Sequence, residues 1–150
     1  MSRVAALCGT ALLIACAPSG EQAGTGDTAA APAAISLADV AGTWNMETSG
    51  MGSDSILVTS QLVATNSMDG WTMILPGRDP VPVRVLAVDA DSIVAEMGPF
   101  PSALREGVTV TTHLVTRMQD GRLISHLTAH YQTSDADSVV MLRSTGTRAQ

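Results

Sequence analysis

From Gly42 onward the chain is cut into short runs rich in Val, Ile, Thr and Met, separated by Gly, Pro and Asp clusters at intervals of about ten residues. Strands fit between such breaks, and each connection is short enough to join antiparallel neighbours. The runs place candidate strands at 42–48, 54–65, 71–75, 82–88, 92–97, 109–118, 122–132 and 138–147. Eight strands, each turning back on the one before, predict an all-β fold: a single antiparallel eight-stranded up-and-down barrel.

The breaks carry matching turn chemistry at Asn66 to Gly70, Pro76 to Pro80 and Asp89-Ala90-Asp91. Asp120-Gly121 between two β-patterned runs predicts a two-residue type I′ hairpin. That turn sets Met118 opposite Leu123, Leu114 opposite Leu127 and Val110 opposite Tyr131, all on one face of the sheet. The longest break, Gly98 to Gly107, contains Pro99 and Pro101, which oppose a strand. Its Ser102 to Glu106 segment suits a helical turn able to cover one end of the barrel. Leu37 to Val40 is expected as a short helical plug with Ser36 as its N-cap.

Composition removes some function classes. A net charge of -6, with no cluster among the eight arginines, disfavours a nucleic-acid partner, which needs concentrated positive charge. Only Trp44, Trp71, Phe100 and Tyr131 are aromatic, so aliphatic residues and Met must fill the core. Met46, Met51, Met73, Met97, Met118 and Met141 are dispersed, a pattern for core filling and not for a soft-metal site.

The chain opens on Met-Ser-Arg and an apolar run from Val4 to Ala15, about twelve residues against the roughly 20 that span a bilayer. Leu13-Ile14-Ala15-Cys16 resembles the lipobox of bacterial lipoproteins. The resemblance implies a signal peptide at 1–15, lipidation of Cys16 and an anchor in the cell envelope. With Ala17 next, it points to the outer membrane facing the periplasm. Ala15-Cys16-Ala17 also fits ordinary signal peptidase, which would cut after Ala17 and release a soluble protein. On either route Cys8 leaves with the leader, so no thiol chemistry is expected in the domain. Residues 16–36, rich in Ala, Gly, Pro and Thr, read as a flexible tether, and 37–150 as the barrel domain.

The first strand begins Gly42-Thr43-Trp44 after Leu37 to Ala41, which resembles the Gly-x-Trp start of lipocalins. The resemblance implies that Trp44 closes one end of the barrel and that an Arg near the last strand, Arg143 or Arg148, packs on its ring. It also implies a small apolar ligand or lipid in the interior, with Trp44, Leu114, Leu127 and Tyr131 as the candidate ligand-facing residues.

Signals for chemistry are few. In the hairpin register His113 lies opposite Thr128, with His126 and His130 diagonal to it, on the face opposite Leu114 and Leu127. Diagonal neighbours lie roughly 7–8 Å apart, close enough for two imidazoles to share a metal but not three, so a solvated outer face is expected and no metal site. Asp89/Asp91 and Asp135/Asp137 fall in turns, and no Gly-x-Ser-x-Gly elbow occurs. No catalytic residue and no cofactor is expected. The leading expectation is a non-enzymatic, membrane-anchored envelope protein binding a small apolar ligand or lipid inside its barrel. The alternative is an envelope scaffolding or assembly lipoprotein whose filled barrel binds another protein.

Overall fold

The computed structural model describes residues 34–134 and 136–150. The expected signal peptide 1–15, Cys16, the tether through residue 33 and Asp135 lie outside the described residues. In chain order the elements are α1 (Leu37–Val40), β1 (Gly42–Gly50), β2 (Ile56–Ala64), β3 (Trp71–Ile74), β4 (Val81–Val88), β5 (Ile93–Pro101), β6 (Thr109–Gln119), β7 (Arg122–Tyr131) and β8 (Val139–Arg148). Each strand pairs antiparallel with its sequence neighbour, and β1 pairs with β8, so the sheet closes as the expected up-and-down barrel. No helix among the described residues is long and apolar enough to cross a membrane.

The Asp120-Gly121 turn sets the register as expected. Both residues have positive φ, 50° and 72°, the type I′ requirement. Met118 pairs with Leu123, Leu114 with Leu127 and Val110 with Tyr131. The apolar members of these pairs face inward, and all but the half-buried Met118 are fully buried.

α1 forms where Ser36 predicts it. The Ser36 hydroxyl accepts from the Asp39 amide, and the Asp39 carboxylate accepts in return from Ser36, a complete capping box. These bonds from Ser36 hold the Asp39 carboxyl below its ordinary value. α1 immediately precedes β1, so it plugs the end of the barrel where β1 begins. Trp44, 1% exposed, donates its indole N–H to Val40 O at 2.8 Å. Ile35 is buried too, its amide donating to Ala90 O at 3.1 Å, so packing reaches into the stretch expected as tether.

Three expectations are corrected. The prolines do not end β5 at residue 97: the strand continues to Pro101, with Phe100 opposite Val110 and Pro101 opposite Thr109. A proline lacks only its own N–H, and here the register shifts between Met97 and Phe100, so Pro99 sits where the ladder asks for no donor. Beyond Pro101 the chain makes a turn and not a helix, with the Ser102 hydroxyl accepting from the amides of Leu104 and Arg105. Of the methionines expected in the core, Met46, Met73 and Met97 are buried and Met118 half-buried, whereas Met51 and Met141 are 48% and 60% exposed. Met51 lies in the turn after β1, and Met141 is on the outward-facing register of β8.

The interior is not uniformly apolar. Thr48, Ser144, Ser125 and Thr116 are successive ladder partners across β1, β8, β7 and β6, and all four are buried. Thr48 donates to Ser144 at 3.1 Å, and Thr116 and Ser125 share a bond of 2.8 Å. The hydroxyls thus satisfy one another along an inward stripe, as burial requires.

Candidate binding site: the rim notch and the internal cavity

Unequal strand lengths build the site. β2 spans nine residues and β3 only four. Their pairing covers Gln61 to Val63 against Thr72 to Ile74, so Ile56 to Ser60 of β2 run past the end of β3. The chain turns back at Leu75 to Pro80 before β4, leaving the barrel wall low at this hairpin. On the far side the end of β5 overshoots β4, and Arg78 crosses to donate to Pro101 O at 2.8 Å. The result is a notch in the rim, a cleft of about 1390 Å³ between β2, the β3–β4 turn and Gly98 to Pro101.

Pro76, Pro80, Pro82, Pro99 and Pro101, all the prolines among the described residues, line this cleft. They occupy the wall facing β2. A proline has no N–H to offer a ladder, so that wall cannot zip onto the overhanging edge of β2.

Behind the notch lies a second space, an internal cavity of about 60 Å³ at the same end of the barrel. Met46, Ser60, Leu75 and Phe100 line both spaces, so the two adjoin at these side chains. The turn after β5 covers the cavity with Ser102, Ala103 and Leu104. Arg105 fastens that cover, its guanidinium 4.2 Å from the centre of the Tyr131 ring. The expected covering role of this segment is therefore met without a helix.

The residues expected to face a ligand separate into two groups. Leu114, Leu127 and Tyr131 line the internal cavity together. Trp44 does not: it lies at the opposite, closed end, where Arg148 packs 4.4 Å from its ring centroid. The notch itself is not evident from any single motif, although the unequal candidate strands at 54–65 and 71–75 and the proline cluster around them carry its signal.

Comparison with protein-family models, with curated proteins and with solved structures gives no match.

The histidine face is solvated. His113 and His130 have ring centres 5.5 Å apart, edge to face, and His113 Nε2 is 3.2 Å from Glu96 Oε2. Arg84 also pairs with Glu96, so one carboxylate serves two partners. Among the described residues no group of three or more His, Cys, Asp or Glu is placed to hold a metal ion. Asp91 belongs to a separate ion pair, with Arg117 Nε at 3.1 Å, and that bond holds its carboxyl below the ordinary value.

Proposed function

We propose that this chain is an exported cell-envelope protein, anchored through a lipid on Cys16, whose nearly filled barrel receives a protein partner at the rim notch. The observation that carries this reading is a disproportion of volumes. The internal cavity holds about 60 Å³, whereas sites that enclose a small ligand run to roughly 300–1,000 Å³. The notch outside it offers about 1390 Å³. The same rim also exposes apolar side chains: Met51, Ile56, Leu57, Val139 and Met141 are each about half exposed or more. Apolar groups gathered at one end of a domain fit a protein contact.

A second reading, a carrier of a small apolar ligand, is favoured by one observation. Met46, Met73 and Met97 surround the cavity, and their flexible side chains could widen it.

One experiment separates the two. A photoreactive residue placed at Thr59 in the notch, in cells making the full chain, is expected to yield a discrete protein adduct, and one placed at Leu86 on the outer wall is not. A lipid-sized adduct from Thr59 would favour the carrier. Replacing Cys16 by Ser tests the anchor, with loss of membrane partition after a high-salt wash as the expected result.

A further inference from the structure

The notch contains one edge able to pair with a strand and one wall that cannot. Ile56 to Ser60 are held by β1 on one side, through Ser49–Ile56, Thr48–Val58, Glu47–Thr59 and Met46–Ser60. On the other side no strand pairs with them. Alternate residues of a strand direct N–H and C=O to opposite sides, so part of this backbone faces the notch with its hydrogen-bonding capacity unused. The opposite wall is proline-rich. It therefore keeps the gap from closing and offers few donors for an occupant to pair with.

Size and depth agree with a single inserted strand. Strand spacing, sheet thickness and rise per residue together give an extended segment a volume of about 160 Å³ per residue. Thr59 and Ser60 line the notch itself and Ile56 to Val58 continue the unpaired edge beyond it, so a five-residue added segment of roughly 800 Å³ would enter the notch at one end and lie along the free edge at the other.

Resting on the proposed protein partner, we propose that the notch accepts one extended polypeptide segment as an added strand along Ile56 to Ser60 of β2. Side chains of the added strand alternate between the two faces of the sheet. One of them points inward between Met46, Ser60, Leu75 and Phe100, toward the internal cavity. A space of about 60 Å³ suits a small aliphatic side chain there and excludes an aromatic one. Main-chain bonds supply most of the attraction, and this one position supplies selectivity.

The test uses the full-length protein and nine-residue linear peptides selected on it from a random display library. Selected sequences are expected to share a small aliphatic residue at one position and to slow amide exchange at alternate residues of Ile56 to Ser60. N-methylation of the peptide nitrogens that face β2 should weaken binding roughly tenfold or more, because each removes a main-chain donor. N-methylation of the intervening nitrogens should not. Equal tolerance of both methylated series, protection elsewhere on the barrel, or failure of selection to yield any notch-binding peptide would overturn strand addition. So would a Thr59 adduct made of two copies of this chain. A heterologous protein adduct from Thr59 together with indifference to N-methylation would sink strand addition alone, while absence of any protein adduct would sink the proposed function itself.

Discussion

Arg148 lies over Trp44, its guanidinium carbon 4.4 Å from the ring centroid, while its two terminal nitrogens donate to Ala41 O at 2.8 Å and Asp39 O at 2.7 Å. The last strand thereby ties down the plug that the first strand follows. Trp44→Ala should cost about 3–5 kcal/mol in chemical denaturation, the range for truncating a large buried aromatic. Arg148→Lys should recover only part of what Arg148→Ala loses, because an ammonium cannot hold two carbonyls and a ring face in one planar geometry. Equal stability of the Lys variant and the parent would show that charge alone matters.

Gly146 faces inward between Met46 and Leu123. A Cβ at this position would stand 2.6 Å from Met46 Sδ and 3.1 Å from Leu123 Cβ. Gly146→Ala should therefore destabilise by about 1–3 kcal/mol through overpacking. Met46→Ala should relieve part of that loss, and the coupling appears in a double-mutant cycle measured by urea unfolding. Strict additivity would mean that the strain falls on Leu123 or the backbone.

Ser125 and Thr116 bond each other in a buried layer, so removing one strands the other. Ser125→Ala should cost about 1–3 kcal/mol, and adding Thr116→Val should cost little more, since an unpaired buried hydroxyl is what carries the penalty. Thermal unfolding of both single variants and the double variant checks this.

How much of the fold and the notch is legible in the sequence depends on the range of the interaction. Asp120-Gly121 fixes a local turn, and Ser36 caps a local helix, so the hairpin register and α1 follow from a few adjacent residues. Met51 and Met141 defeat the same approach, because composition does not say on which side of the wall a methionine falls. Pro99 and Pro101 are strand breakers by intrinsic preference, yet a register shift tolerates them. The notch depends on β2 outrunning β3 and on β5 outrunning β4. The hydroxyl stripe depends on β8 meeting β1, the closure of the barrel. Both arise from strand registers that no single segment encodes.

Acid should loosen two surface ties. The Asp39 carboxyl is lowered by its bonds from Ser36, and the Asp91 carboxyl by its bond from Arg117. A carboxyl lowered in the fold stabilises it above the unfolded value near 3.8, and that contribution fades as pH falls through the lowered folded value. Stability should thus decline below about pH 4, and Asp91→Asn should flatten part of that decline. Both carboxyls are solvated, so the effect is small and shrinks with added salt. Denaturation midpoints between pH 5 and pH 2, at low and high salt, are the measurement, and an unchanged acid limb in Asp91→Asn would refute the assignment.

Zinc should bind weakly to the outer histidine face. His113 and His130 approach closely enough to share an ion, with ring centres 5.5 Å apart, and Glu96 is within reach of His113. Yet Glu96 is already paired with Arg84, whose fixed positive charge beside the site opposes a dication. His126, four residues before His130 on β7, lies opposite Arg143 on β8, which places another cation on the same face. A tight zinc site normally uses three or four protein ligands, and only the two imidazoles are free of a competing cation. Calorimetry on the metal-free protein should show no stoichiometric site with submicromolar affinity. Arg84→Ala should strengthen whatever binding exists, by freeing Glu96 and removing the repulsion. A tight site in the parent protein, abolished by His113→Ala, would instead make metal handling a function of this face.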